Sequence, residues 1–316
     1  MRLAWLAVVG ACGSDPQVAQ VVPGGEALAT TDAVRAIAAD DETVAWITQV
    51  GVDDPLETVW QIEPGATPAH ELYSGLLHER GAPGRIALAN HQPYWEQRSD
   101  QVRILTVDGD AAIDTTLGGS SMLLLGGDGP YLARLDASID VQVADPRTGP
   151  DRAAWQGLYL LAGRHVVVGA GKLVLATTGR AQTIALGTGV TASFDLGAYA
   201  PQALVPARDG FWFVDAEGAV VRVTAAGASH VADLPAPERG SRFAVNGLAA
   251  VGDDLWVAAI GDGHPPDFSV LVRIGGDGTV EQRPVLALSV RVASGGNTLY
   301  AVTYDDQQST VWRVAR

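Results

Sequence analysis

The sequence predicts an all-β fold, a β-propeller of seven four-stranded blades whose last blade is closed by an N-terminal strand. Three observations carry this. The stretch Gly247 to Pro284 alternates hydrophobic runs with turns at Gly252-Asp253-Asp254 and Gly276-Asp277-Gly278, the pattern of a four-stranded antiparallel meander. Looser copies recur at roughly 37–51 residue spacing, the period of a propeller blade. The 316 residues include 37 glycines, which suits many tight turns, while only 18% are charged, which excludes a disordered or coiled-coil chain.

Taken in order, each unit supplies strands a to d, from inner to outer. The first is AVRAIAAD, TVAWITQV, ETVWQIE and AHELYSG. Its alanines alone would suit a helix, but the Asp40-Asp41 turn and the β-rich run after it favour a strand. The second is GRIALAN, PYWEQR, QVRILTVDG and AAIDTTL, and the third is SMLLLGG, YLARLD, IDVQVADP and DRAAWQG. The fourth reads LYLLAG, HVVVGAG, KLVLATT and AQTIALG; the fifth reads PQALVPA, FWFVDA, AVVRVTAAG and SHVADLP. The sixth is the meander above. The seventh, SVRVASG, TLYAVTY and STVWRVAR, lacks a fourth strand. An open ring would leave unpaired edges, so the β-like run Gln17 to Val22 is expected to supply that strand. Trp46, Trp60, Trp95, Trp212, Trp256 and Trp312 fall mostly in b or c strands, where large apolar rings pack blade on blade.

The N-terminus reads as an address. Arg2 precedes a short apolar run, Leu3 to Val9, too short to span a bilayer and fitting a signal peptide. Val9-Gly10-Ala11-Cys12 resembles the lipobox of bacterial lipoproteins. The resemblance implies cleavage before Cys12, a diacylglyceryl thioether on it and an acylated new N-terminus. Two or more acyl chains hold a domain where one does so only marginally. Residue 13 is Gly rather than Asp, which by the sorting rule of enteric lipoproteins implies the outer membrane of a Gram-negative envelope. The other reading is a Sec signal followed by an incidental cysteine. The expected division is signal peptide over 1–11, lipidated tether plus closing strand over 12–31, and propeller over 32–316. Cys12 is the only cysteine, so no intrachain disulfide forms.

The net charge is −15. Such a surface repels nucleic acid, so no nucleic-acid partner is expected; a basic protein patch or a divalent cation such as Ca²⁺ suits it better. The simpler reading is that the acidity serves solubility.

Asp209–Gly227, DGFWFVDAEGAVVRVTAAG, resembles the repeat of the NHL and streptogramin-lyase propellers, which are YVTN/SMP-30-like: a D-G turn, a Trp-containing strand, then a strand carrying Arg. GDDLWVAAIG with VLVRIGGDG, and GNTLYAVTYDDQQSTVWRV, are similar. The resemblance covers the fifth to seventh units well and implies architecture, not activity.

No catalytic motif is present: no G-x-S-x-G, no H-E-x-x-H, no paired Cys. Gly169-Ala170-Gly171-Lys172 imitates a P-loop fragment, but Leu173 stands where Ser or Thr is needed. The collective signal is acidic. The b–c loops, which share one face of a propeller with the d–a loops, carry Asp53 and Asp54, Asp100, Asp136, Asp215, Asp262 and Asp267, then Asp305 and Asp306. A ring of carboxylates would attract a cation or a basic partner, although Asp also favours turns wherever they fall. His264, in the loop Gly261–Ser269 beside Asp262 and Asp267, is the candidate loop site. Arg35, Arg85, Asn246 and Arg291 lie in or beside a strands and are candidates to point into the central channel.

These features predict a non-catalytic, lipid-anchored binding or assembly platform in the cell envelope, with no cofactor beyond a Ca²⁺ or other divalent cation at the acidic loops. The rivals are a metal-dependent lyase or lactone hydrolase with its site at the channel mouth, and a purely structural envelope protein.

Overall fold

The computed structural model describes residues 20–51, 56–63, 68–75, 86–89, 91–98, 102–107, 113–114, 122–125, 131–135, 141–144, 154–155, 165–185, 188–235, 243–261, 269–305 and 308–315. Strand β1 is Gly25–Thr31. Blade 1 is β2 (Val34–Ala39), β3 (Val44–Val50), β4 (Leu56–Ile62) and β5 (His70–Gly75). Blade 2 is β6 (Ile86–Ala89), β7 (Gln92–Arg98), β8 (Val102–Thr106) and β9 (Ile113–Asp114). Blade 3 is β10 (Met122–Leu125), β11 (Tyr131–Leu135), β12 (Val141–Ala144) and β13 (Ala154–Trp155). Blade 4 is β14 (His165–Gly169), β15 (Lys172–Thr177), β16 (Arg180–Ala185) and β17 (Thr191–Asp195). Blade 5 is β18 (Pro201–Ala207), β19 (Gly210–Asp215), β20 (Ala219–Thr224) and β21 (Gly227–Asp233). Blade 6 is β22 (Phe243–Val251), β23 (Asp254–Gly261), β24 (Ser269–Ile274) and β25 (Val280–Val285). Blade 7 is β26 (Ser289–Gly295), β27 (Thr298–Tyr304) and β28 (Ser309–Val314).

Each blade is a four-stranded antiparallel meander, and β1 completes the seventh in the order β1-β28-β27-β26. The inner strands touch in chain order and β26 returns to β2, which closes the ring. The b and c strands carry most of the buried residues of blades 1, 6 and 7, and in blades 4 and 5 the b strand is the most deeply buried. All six residues of β19, GFWFVD, are buried, because both its faces meet neighbouring blades. The outer strands are wet: β17 and most of β25 are exposed.

The tryptophans pack blade on blade. Trp212 clusters with Leu255, Val257 and Ala259 of blade 6, and Trp256 with Val290, Val292 and Leu299 of blade 7. Trp46 shares a cluster with Tyr300 and Val302 of blade 7, and Trp95 meets Ile47 and Val59 of blade 1.

Two sequence expectations are corrected. The closing strand is β1, not Gln17–Val22. Gly25 pairs with Val314 and Thr31 with Ser309 along a ladder bulged between Ala27 and Ala29. Of the expected run only Gln20, Val21 and Val22 lie within the described residues, and these pack instead of laddering. Val21 exchanges backbone hydrogen bonds with Leu286 (3.3 and 3.2 Å), and Val22 is buried in the core between blades 6 and 7. Gln20 donates to Asp305 Oδ2 at 2.8 Å and to the Gln308 carbonyl at 3.0 Å. The chain therefore runs from the b–c loop of blade 7 between blades 6 and 7 to the other face, turns at Gly24 (φ 73°) and returns as β1. Gly25 is needed at that turn: a Cβ there would meet the Val22 carbonyl at 3.0 Å and Trp312 Cε3 at 3.2 Å.

The second correction concerns blade 4. Its inner strand is HVVVG, not LYLLAG, and every later strand moves inward by one; LYLLAG lies outside the described residues. Ala170 (φ 49°) and Gly171 (φ 68°) form a two-residue hairpin turn with positive φ at both positions, joining β14 to β15. The outer strand is TASFD, whose polar, exposed character gives little hydrophobic signal.

Candidate functional site

The a–b and c–d turns share one face of the ring, here called the a–b face; the b–c and d–a loops share the other. In blades 5 to 7 the repeat resolves into a paired motif. The aromatic of the b strand stands opposite an arginine of the c strand in the ladder: Trp212 with Arg222, Trp256 with Arg273, Tyr300 with Arg313. Each arginine then meets a carboxylate. Arg222 Nη2 reaches Asp209 at 2.8 Å and Asp253 of the next blade at 3.1 Å, with its guanidinium 5.2 Å from the Trp212 ring centroid. Arg273 pairs with Asp254 at 2.7 Å and Glu281 at 3.7 Å, and Arg313 with Glu26 of β1 at 3.4 Å. The Asp254 hydrogen bond and charge raise the Arg273 pKa further.

Other blades are stapled at the same face by different chemistry. The Asp40 carboxylate of blade 1 accepts the His91 backbone N–H of blade 2 at 2.8 Å and lies 3.0 Å from the ring Nδ1. Lys172 Nζ donates to the carbonyls of Ala207 (2.8 Å), Arg208 (3.0 Å) and Gly210 (3.4 Å), joining blade 4 to the a–b turn of blade 5. Burial pushes the Lys172 pKa down, opposed by the Asp209 charge. The residue that imitates a P-loop lysine is thus a staple between blades. Asp41 accepts the Asn297 N–H at 3.1 Å, tying blade 1 to blade 7.

Two open grooves adjoin on this face. One, of about 610 Å³, is lined by Lys172, Thr183, Phe194, Asp195, Asp209 and Gly210, with Ala225 to Gly227, between blades 4 and 5. The other, of about 520 Å³, is lined by Arg222, Asp253, Asp254, Arg273, Asp277 and Thr279, with Gly275 and Gly276, between blades 5 and 6. The Asp209–Arg222 pair is the wall between them. Both grooves lean acidic: Lys172 faces two aspartates in the first, and two arginines face three aspartates in the second. Asp253 is 85% exposed, so its charge is available to a partner as well as to Arg222.

On the b–c face, two of the predicted acidic residues are described. Asp215 is buried, and its Oδ1 accepts the N–H groups of Glu217 (2.9 Å) and Ala219 (2.8 Å). Asp305 Oδ1 accepts the Gln308 N–H at 2.8 Å, and its Oδ2 accepts Gln20. Both therefore shape their own loops. Cys12, Asp53, Asp54, Asp100, Asp136, Asp262, His264, Asp267 and Asp306 lie outside the described residues, as does Arg85. Among the described residues no group of three or more His, Cys, Asp or Glu could hold a metal ion.

The a–b face staples escape a sequence reading because b–c loops of unequal length vary the distance between the aromatic and its arginine. The recurrent order of aromatic strand, then arginine strand, is the signal that finds them.

No protein-family model matches the sequence, and no curated protein does. The fold is similar to solved propeller structures. U3-55K aligns over 92% of this chain and 98% of its own, with 12% identity and a TM-score of 0.59. The WD40 β-propeller domain of Doa1 aligns over 92% and 96%, with 12% identity and a TM-score of 0.55. BamB from Moraxella catarrhalis aligns over 90% and 84%, with 18% identity and a TM-score of 0.51. These likenesses show the propeller fold.

Proposed function

We propose that this chain is a non-catalytic platform of NHL-like repeats, tethered to the cell envelope through lipidated Cys12, that holds a basic protein partner on its a–b face. One observation carries the reading. Gln20, where the described chain begins, sits at the b–c loop of blade 7 against Asp305 and Gln308, whereas both grooves open on the opposite face. Gln20 lies eight residues after Cys12, and even fully extended that stretch reaches only about 28 Å. A lipid on Cys12 would hold the b–c face toward an outer-membrane leaflet and leave the grooves free. The acidic b–c loops would keep that face off anionic headgroups.

The carboxylates of Asp209, Asp253 and Asp277 would receive lysine or arginine side chains, and the ridge at Asp209–Arg222 would lie under the centre of the partner. Such contacts weaken with salt, the screening length being about 8 Å at physiological ionic strength. Two measurements test the reading. Metabolic labelling with an alkyne fatty acid should mark the wild type and not Cys12→Ala; an unlabelled wild type removes the tether. A photo-crosslinking residue at Asp277 should capture one protein in cells, less so with Asp253→Lys, while the same probe at Glu217, exposed in the b–c turn of blade 5 on the opposite face, should not. Equal capture at both positions removes the a–b platform.

A further inference from the structure

The seven inner strands contain no Asp or Glu. In a chain of net charge −15, their only arginines are Arg35 on β2 and Arg291 on β26. These sit on neighbouring inner strands, where the ring closes. Arg291 Nη1 donates to the Arg35 carbonyl, which fixes that guanidinium beside the Arg35 backbone and leaves its other N–H groups to be satisfied. Among the described residues no carboxylate pairs with either arginine. Burial and the like charge of Arg35 push the Arg291 pKa down, so its charged form is held at a cost.

The local backbone is arranged around the same place. Arg35 is the extra residue of a β-bulge between Val34 and Ala36. Gln202 is the extra residue of a bulge in β18, and Asn246 of one in β22. Counted from the residue opposite the b-strand aromatic, all three bulges and Arg291 lie within about one residue of the same height. A bulge re-aims its side chain, and here each bulged residue carries a hydrogen-bond donor. Blades 5, 6, 7 and 1 are consecutive around the ring, so Gln202, Asn246, Arg291 and Arg35 form an arc. Asn246 Nδ2 donates to the Val290 carbonyl at 2.6 Å, tying this arc to the strand that carries Arg291.

We propose that the channel binds a small oxyanion, a carboxylate or phosphate group, on Arg35 and Arg291, with Asn246 and Gln202 beside them. Guanidinium forks match such oxygens in pairs, and a bound anion supplies the partner both arginines lack. This goes beyond the platform reading and does not depend on the tether or the grooves.

The test is titration calorimetry on the full chain with inorganic phosphate and, separately, succinate, against sodium chloride at equal ionic strength. At least one of the two should bind with a stoichiometry of one; which one does identifies the anion class. Arg35→Gln, at an exposed side chain, should keep the fold and bind at least tenfold more weakly. Arg291→Gln should do the same if it folds. Arg313→Gln, at an arginine paired with Glu26, should bind as the wild type does. Heats no larger than those of chloride for both probes, or unchanged binding in folded Arg35→Gln, would overturn the proposal.

Discussion

The seam between blades 5 and 6 and the seam around blade 7 are held by different means. At the first, a covalent connection runs from β21 to β22, and the polar staple is one side chain: Arg222, bridging Asp209 and Asp253 over the face of Trp212. At the second, the N-terminal β1 meets the C-terminal β28 and main chain does most of the joining, with the Arg313–Glu26 and Asp41–Asn297 contacts beside it. The ladder of β1 on β28, the Val21–Leu286 bridge and the burial of Val22 replace a covalent link. The difference shows what ring closure requires. A neighbour already tethered by a loop needs only alignment, which a salt bridge supplies. A neighbour reached by a chain terminus must offset the entropy of ordering that terminus, which takes strand pairing and apolar burial.

The largest effects should therefore fall at the closing seam. Val22 is 2% exposed among Trp312, Val285 and Val314. Val22→Ala removes two methyl equivalents and should cost about 1.5 kcal/mol. Val22→Asp places an unpaired charge there and should cost about 3 kcal/mol. Urea melts at pH 7 would measure both; a Val22→Asp variant as stable as the wild type would mean that the segment before β1 takes no part in closure.

Arg222→Ala comes next. Its side chain is only 18% exposed, yet its partners are solvated, Asp209 at 50% and Asp253 at 85%. Truncation loses charge-assisted hydrogen bonds and the contact with Trp212 but buries no orphan carboxylate, so about 2 kcal/mol is expected. Arg222→Lys, unable to fork between two carboxylates, should recover part of this. A loss matching that of Val22→Asp would erase the distinction between the two kinds of seam.

How much of this was legible in the sequence depends on where each residue keeps its signal. The b strands announced themselves because burial on both faces demands continuous apolar runs, as in GFWFVD. Blades 5 to 7 were readable strand by strand for that reason. The outer strands were not. TASFD and GEALATT are half wet and rich in small or polar residues, so hydrophobicity pointed to the wrong neighbours: LYLLAG in blade 4, and QVAQVV at the closing seam. The second error has a physical reason, since Val22 is apolar to fill a crevice rather than to pair in a ladder. For the site, the acids at a–b turns were visible as residues, but their use was not. Asp40, Asp41, Asp209 and Asp253 look like turn formers until a c strand or a neighbouring blade brings His91, Asn297 or Arg222 to them.

The smallest effect concerns Arg283, which works at both kinds of joint. Its Nη1 donates to the Ala315 carbonyl at 2.8 Å, on the main-chain side of the closing seam, while its Nε holds Glu281 at 2.9 Å. The Arg283 hydrogen bond is the main cause that lowers the Glu281 pKa below its ordinary 4.5, with Arg273 helping. A carboxylate whose pKa is lower in the folded state stabilises that state above its unfolded pKa, and loses this as pH falls through the folded value. The wild type should therefore melt slightly higher than Glu281→Gln at pH 7, and the gap should close as pH falls below about 4.5. The Val22→Ala deficit, which involves no titrating group, should persist over the same range. Melting curves of the three proteins between pH 7 and pH 3 make the comparison. A Glu281→Gln gap that stays constant to pH 3 would mean that the carboxylate acts there through packing and not through its charge on Arg283.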